Sequence, residues 1–206
     1  MDFLHEKCGS MNYCELQVTS NFSFLEGASH PGELIEQAAL YGYKEIAIAD
    51  RNSFAGIVRA HVAARDKNLR LIPACQLHLL DGPGLLAYPT NKYAYAQLSS
   101  LLSLGNLRAE KGECHLYKED VYACRQAIKF IAVPPPVLNS SFEKILGEYK
   151  DVFKNELYVA STCRYSGDDN KYLYQLSQLS KQLEIKMVAT NDVHYHNPQR
   201  RQLQDV

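Results

Sequence analysis

Short apolar segments alternate with amphipathic stretches along nearly the whole chain. Seven of the apolar segments are bounded by polar residues, glycine or proline and are mostly rich in β-branched or aromatic residues, which is typical of strands. The predicted strands are 13–19, 45–49, 69–80, 85–88, 128–133, 156–160 and 186–190. Strands that alternate with helices form a parallel sheet covered by those helices. The sequence therefore predicts an α/β fold in one domain.

Four stretches between the predicted strands carry apolar residues at helical spacing. They cover residues 31–41, 52–67, 92–104 and 172–183. In the first of them, Pro31 lies in the opening turn and Gly42 follows the last residue, as at many helix ends. Reactive side chains of parallel α/β folds lie where the strands end. We therefore expect functional residues at 19–20, 50–51, 134–136, 161–164 and 191–194.

The charge balance limits the partners that the chain can bind by itself. Lysine and arginine number 22 against 23 aspartate and glutamate residues, so the formal net charge is −1. A chain without excess positive charge lacks the field that holds nucleic acid non-specifically. We therefore expect contact with DNA only through a full-length protein that contains this chain.

The cysteine pattern and the lack of a long apolar run indicate a cytoplasmic protein. The six cysteines form no CxxC pair and have no regular spacing, which fits reduced thiols in a reducing compartment. No apolar run approaches the roughly 20 residues that span a bilayer, and residues 1–10 lack the pattern of a signal peptide. We expect cytoplasmic localisation and no contact with a membrane.

The most informative motif lies near the start of the chain. Residues 15–31 read ELQVTSNFSFLEGASHP. This text is similar to the opening of the PHP (polymerase and histidinol phosphatase) domain of bacterial DNA polymerase III α subunits, where the usual text is close to HLHVHTxYSLLDGA. The wording NFSFLEGASHPGEL resembles the error-prone, damage-tolerance homologues of the α subunit more than the main replicase.

Four further motifs occur where the PHP family would place them. Residues 49–56, ADRNSFAG, resemble TDxNxxAG, and residues 189–195, ATNDVHY, match the family's text almost letter for letter. The others are residues 72–76, and residues 86–89 followed by 95–105. The resemblance implies a distorted (β/α)7 barrel of PHP type over residues 12–206. We expect residues 1–11 to be an N-terminal extension and the C-terminal end to be truncated inside a helix at 199–206.

The resemblance also implies where a metal site would lie. Active PHP barrels resemble a cup of His, Asp, Glu and Cys ligands that holds two or three metal ions for phosphate ester hydrolysis. The family's HxH falls on Gln17 and Thr19, and the histidine of TDH falls on Arg51, whose guanidinium cannot bind a cation. The acid that often ends the third strand falls on Gln76, and a later ligand falls within 134–136. These former ligand positions are therefore substituted.

Four residues of metal-ligand type remain where the family has ligands: Glu15, Asp50, Asp192 and His194. We interpret them as a vestigial site, because a working phosphoesterase needs a complete and preorganised cluster. The resemblance thus predicts no catalytic residue and no cofactor, with at most one weakly bound divalent ion, Zn²⁺, Mn²⁺ or Mg²⁺. At one end of a seven-stranded parallel barrel we expect to find Gln17, Thr19, Asp50, Arg51, Gln76, Asp192 and His194.

Each of these residues also has a structural interpretation. Asp50 precedes a predicted helix and could cap that helix instead of binding an ion. Arg51 could pair with Asp50, Glu15 or Asp192, or it could bind an anion where the metal would lie. Asp192 and His194 could form a buried hydrogen-bonded pair that fixes the exit from the last strand.

Three functions are compatible with these residues. The first is a structural domain of an error-prone, polymerase III α-like DNA polymerase in DNA replication or translesion repair, packed against the polymerase core of the same chain. Such a domain could also dock other replication or translesion factors. The second is a metal-dependent phosphoesterase or 3′–5′ proofreading exonuclease. The third is a barrel that binds a phosphorylated small molecule through Arg51.

Overall fold

Residues 13–204 are described by a computed structural model of the chain. Within this range six strands form a single sheet in sequence order. The strands are β1 (Glu45–Arg51), β2 (Arg70–Leu77), β3 (Leu85–Pro89), β4 (Ile128–Ala132), β5 (Leu157–Ser161) and β6 (Lys186–Ala189). The helices are α1 (Pro31–Leu40), α2 (Ile57–Asp66), α3 (Lys92–Arg108), α4 (Lys118–Ala123), α5 (Ser140–Phe153), α6 (Asp169–Gln182) and α7 (Arg201–Gln204).

Three of the four predicted helices are confirmed as α1, α3 and α6, with shifts of a few residues at their ends. The predicted start of the remaining helix at residue 52 is wrong, because α2 begins at Ile57. Asn52 has a φ of 44°, which cannot continue a right-handed helix. The structure adds α4 and α5 to the predicted set. No helix in residues 13–204 is long and apolar enough to cross a membrane.

The sheet is mixed, so the prediction of an entirely parallel sheet is wrong. β3 runs antiparallel to both of its neighbours, β2 and β4, whereas the other adjacent pairs are parallel. The connection from β2 to β3 is short and contains Gly82, Pro83 and Gly84. A connection of this kind makes a hairpin, since a parallel return needs a longer crossover.

The sheet curls into a distorted barrel, as predicted, and the chain before α1 lies along its open side. Instead of a regular strand at 13–19, the structure has two isolated parallel bridges, Glu15 with Ile46 and Val18 with Val193. The segment therefore lies between β1 and the chain that follows β6. A regular strand is prevented because the side chain of Glu15 accepts the backbone N–H of Gln17 at 2.9 Å, which a ladder would otherwise use.

The lumen of the barrel is filled by a separate apolar cluster. Small residues from the strands, among them Ala47, Ala49 and Ala74, pack there with larger side chains such as Leu86 and Tyr88. Side chains alternate between the two faces of a strand. The alternation therefore places Arg51 and Gln76 on the lumen side of β1 and β2, and Asp50 on the outer side. The outer face packs in two further clusters, one under α1 and α2 and one under the remaining long helices.

We expect Leu98→Ala in α3 to destabilise the domain by about 2–5 kcal/mol, because the Leu98 side chain is fully buried in the outer core. Leu107→Ala in the same helix is the matched control, since Leu107 is 86% exposed and its loss should change stability by less than about 0.5 kcal/mol. Urea denaturation of both variants measures the difference. Equal losses for the two variants would contradict this assignment of the core.

Candidate functional site

The predicted site residues lie around one opening of the barrel, which we call the barrel mouth. The barrel mouth comprises residues 15–27, 50–53, 76–78 and 190–194. Arg51 and Gln76 are partners in the register of β1 with β2. On the other side, the backbone N–H of Thr19 donates to the carbonyl of Val193 at 2.8 Å. Residues that are distant in sequence are therefore neighbours at the ends of the parallel strands.

Asp50 is a buried carboxylate that is surrounded by protein donors. Its Oδ1 accepts the backbone N–H of Ser20 at 2.8 Å and the hydroxyls of Ser20 and Ser23 at 2.9 and 3.0 Å. The N–H of Gly56, the residue before α2, also donates to this side chain. Burial raises the pKa of Asp50, and these hydrogen bonds oppose the rise. Asp50 thus holds the turn before α2, although it is not the N-cap of that helix, which is Gly56.

Two glycines of the matched motifs let the surrounding loops close on Asp50. A Cβ on Gly27 would lie 2.1 Å from the carbonyl oxygen of Ser20, and one on Gly56 would lie 2.4 Å from Asp50 Oδ2. Both distances are far below van der Waals contact, so any side chain would push the loops apart. The two glycines are therefore explained by the packing of the backbone around Asp50.

Arg51 forms an ion pair with Glu26 at the barrel mouth. Nη1 of Arg51 lies 2.7 Å from Oε1 of Glu26, and half of the arginine side chain is exposed. The sequence prediction named Asp50, Glu15 or Asp192 as its partner, and this prediction is wrong. Glu26 lies in the loop between 20 and 27, which Asp50 and Gly27 hold close to the end of β1.

A cavity of about 800 Å³ opens beside Arg51. Its lining includes hydroxyl, amide and basic groups from Ser53, Asn52, Lys111 and His115. Such groups can donate hydrogen bonds to an anion, but the charge of Arg51 is already balanced by Glu26. Anion binding at Arg51 stays a prediction.

Gln17 connects Asp192 with the end of the last strand. Its Nε2 donates to Oδ1 of Asp192 at 2.7 Å, and its Oε1 accepts the hydroxyl of Thr190 at 3.0 Å. The hydroxyl of Thr190 in turn lies 2.7 Å from that of Thr162, which follows β5. A former ligand position is therefore occupied by a side chain that joins the segment 13–19 to residues 190–192, and through Thr190 to Thr162.

Asp192 and His194 form a pair at the edge of the barrel mouth. Nε2 of His194 lies 3.5 Å from Oδ1 of Asp192, while Nδ1 donates to the carbonyl of Glu26 at 3.1 Å. The Asp192 side chain is 42% exposed, so the prediction that the pair is buried is wrong. The hydrogen bond with Asp192 raises the pKa of His194, and burial opposes the rise.

Glu15 is buried and anchors the closing segment to the chain after β6. Its carboxylate accepts the backbone N–H groups of Gln17 and Asn191 at 2.9 and 3.2 Å. The side-chain amide of Asn191 and the hydroxyl of Tyr13 donate at 2.8 and 2.7 Å. With four donors, Glu15 is saturated by the protein.

The two other former ligand positions also contact protein groups. Nε2 of Gln76 lies 3.0 Å from Nε2 of His78. Burial lowers the pKa of His78, and the charge of Arg51 lowers it further. In the proline run at 134–136, the carbonyl of Pro134 accepts from the guanidinium of Arg164 at 2.9 Å. These contacts fix the loops but add no anionic ligand.

Sequence reasoning placed Ser20 among the expected functional positions but missed other side chains that hold the site together, chiefly Ser23, Glu26 and Thr190. These three lie within the matched motifs but are not the residue types expected to bind a metal ion. A usable signal was available, because a carboxylate that ends a buried strand needs hydrogen-bond donors nearby. For Asp50 these donors are the hydroxyls of Ser20 and Ser23, which lie in the first matched motif.

The donor set at the barrel mouth does not fit the polynuclear metal centre that the resemblance implies. In the part of the chain that the structure describes, no three His, Cys, Asp or Glu side chains are grouped so that they could hold a metal ion. Glu15 and Asp50 are taken up by protein donors. The hydroxyl of Thr19 is buried and has no hydrogen-bond partner among the described residues, and a neutral hydroxyl is a weak ligand for zinc or manganese.

We expect Ser23→Ala to destabilise the domain by about 1–3 kcal/mol. Ser23 Oγ donates to Asp50 and accepts the backbone N–H of Arg51 at 2.8 Å, so its removal leaves both groups short of a partner. Ser100→Ala on the exposed side of α3 serves as the control and should be neutral within about 0.5 kcal/mol. Chemical denaturation at neutral pH compares them, and a neutral Ser23→Ala would show that the Asp50 network contributes little.

The pair of His194 with Asp192 should make stability depend on pH. The pKa of His194 is raised in the folded state, so the stabilisation is fully present below the unfolded value of about 6.5 and is lost as the pH rises through the folded pKa. The stability difference between the wild type and His194→Gln should therefore shrink from acid to alkaline pH. A difference that grows with pH would contradict the pairing.

The sequence matches the family described as PHP domain over residues 15–173. The chain is 45% identical over 195 residues to the error-prone DNA polymerase of Caulobacter vibrioides, a match that covers 94% of this chain and 18% of that protein. It is 42% identical over 196 residues to error-prone DNA polymerase 2 of Agrobacterium fabrum, covering 95% of this chain and 18% of the relative. The chain thus spans 18% of the length of these two curated relatives.

The fold is also found in solved structures. An amidohydrolase from Chromobacterium violaceum, solved with bound sulfate and no metal, superimposes with a TM-score of 0.66 over 90% of this chain and 88% of that chain. The two sequences are only 14% identical, so this likeness concerns the fold alone. The family match covers most of the chain, and the distorted barrel agrees with it. The chain belongs to the PHP domain family.

Proposed function

We propose that this chain is the PHP domain of an error-prone, polymerase III α-like DNA polymerase and that its role there is structural. In this role it catalyses no reaction and stabilises the polymerase core of the same cytoplasmic protein, through which it meets DNA. Identities of 45% and 42% to error-prone DNA polymerases support this assignment. A role in DNA replication or translesion repair, with docking of other factors, follows from it.

The structural role is supported chiefly by the state of the acids at the barrel mouth. Glu15 and Asp50 each accept several protein donors, and Asp192 accepts the amide of Gln17. An incoming metal ion would have to displace these charge-assisted hydrogen bonds before it could bind the same oxygens. The acids therefore serve to join segments of the barrel.

The substituted positions also lack the chemistry for hydrolysis of a phosphate ester. That reaction needs a group that activates water and groups that stabilise the departing oxygen. The amides of Gln17 and Gln76 and the hydroxyl of Thr19 do not act as bases near neutral pH, and the guanidinium of Arg51 stays protonated. We infer that the barrel has no intrinsic phosphoesterase activity.

An exposed apolar face offers a contact for the polymerase core. Val58 and Val62 lie one turn apart on α2 and are 71% and 50% exposed. A groove of about 510 Å³ runs beside the two valines. Grouped apolar side chains at a surface mark interfaces more often than isolated ones do, and we propose that this face packs against the core.

The experiment uses a full-length error-prone polymerase that contains this chain. We expect Asp192→Ala and His194→Ala, made separately, to leave primer extension and the background of 3′–5′ nuclease activity within about twofold of the wild type, because neither residue touches reacting atoms in a structural role. Removal of residues 1–206 should lower the thermal stability of the polymerase and its extension activity.

The alternative function gives the opposite pattern. If either point variant abolishes a metal-dependent nuclease activity without changing the unfolding temperature, the barrel is a phosphoesterase or proofreading exonuclease. If removal of residues 1–206 leaves the polymerase equally stable, the domain does not support the core. Primer extension and nuclease assays on the same preparations, together with thermal unfolding, distinguish these outcomes.

A further inference from the structure

The orientation of the Gln17 amide is fixed by its two partners. The hydroxyl of Thr190 and Oδ1 of Asp192 lie at its two ends, 3.0 and 2.7 Å away. With Nε2 facing Asp192, both contacts are hydrogen bonds. The reverse orientation would place two oxygens without a proton between them at 2.7 Å, which is strongly unfavourable for an ionised carboxylate.

The amide is part of a directional series of hydrogen bonds. Because Thr190 gives its hydroxyl proton to Gln17, the hydroxyl of Thr162, 2.7 Å away, must donate to Thr190. The series runs from Thr162 through Thr190 and Gln17 and ends on the negative charge of Asp192, which polarises each bond in turn. It links the ends of β5 and β6 to the segment that closes the barrel.

We infer that the carboxamide of Gln17 takes the place of a metal ion as the cross-link of the barrel mouth. Its Nε2 presents positively polarised protons to Asp192, as a bound cation would present its charge, while its Oε1 accepts the hydroxyl of Thr190 at the exit of β6. The inference rests on the proposed metal-free role and adds to it the residue that replaces the ion. Gln17 is thus a positioning residue.

The test is Gln17→Glu, which keeps the size of the side chain and its acceptor for Thr190. The substitution replaces the donor that faces Asp192 by a second carboxylate oxygen. We expect the unfolding temperature to fall by roughly 5 °C or more at neutral pH, because two carboxylates in contact repel each other. Millimolar Mn²⁺ should restore part of the loss, since a hard cation can bind between the two acids.

The matched control is the double variant Gln17→Glu/Asp192→Asn. In the wild type the side chain at position 17 donates to the side chain at position 192. In the double variant this direction is reversed, because the introduced asparagine amide can donate to the introduced glutamate carboxylate. Asparagine tolerates the φ of 50° at this position. We expect the double variant to unfold within about 2 °C of Asp192→Asn alone, which lacks the same charge beside His194, and to show no response to Mn²⁺.

Thermal unfolding of the wild type with EDTA and with Mn²⁺ separates this inference from the proposed function. A wild type that is stabilised by Mn²⁺ or destabilised by EDTA would contradict the metal-free role itself. If neither reagent changes the unfolding temperature of the wild type, the cross-link inference is still wrong when Gln17→Glu is as stable as the wild type. It is also wrong when Mn²⁺ fails to raise the unfolding temperature of Gln17→Glu, or when Asp192→Asn fails to restore its folding.

Discussion

The backbone contacts of the segment 13–19 join β1 to the chain that follows β6. On one side Ala47 N–H donates to the carbonyl of Glu15, and on the other Thr19 N–H donates to the carbonyl of Val193, both at 2.8 Å. Without these bonds β1 would be an open edge with unpaired backbone groups. The polar side chains of the barrel mouth come from both sides of this closure, so their geometry depends on it.

The chemistry of the barrel mouth follows from the need to compensate buried acids. A carboxylate taken out of water must be neutralised by a cation or by several hydrogen-bond donors. Around Asp50 the donors are hydroxyls and backbone N–H groups, whereas around Glu15 they include an amide and a phenol. The charges of Glu15 and Asp50 are therefore compensated by groups of the protein itself.

The sequence was sufficient for features that are repeated along the chain or encoded by a long motif. Strand and helix alternation predicted the α/β class, and the segment 15–31 predicted the barrel. It could not show that β3 is antiparallel, because that depends on a short hairpin at Gly82–Gly84. Nor could it show that Arg51 pairs with Glu26, since their contact results from the close packing of the loop at Gly27. Partner choice among several nearby acids is a property of the folded loops.

The alternation of side chains along β1 assigns its two last residues to different environments. Asp50 lies in the buried nest of serine hydroxyls outside the barrel, and Arg51 lies on the lumen side beside Gln76. A one-residue insertion or deletion within β1 would exchange these environments, because a shift by one turns every side chain to the other face. A deletion would bury the guanidinium of Arg51 among backbone N–H groups and serine hydroxyls, without a carboxylate to balance its charge. Length changes in β1 should therefore be tolerated far less than substitutions at the same strand.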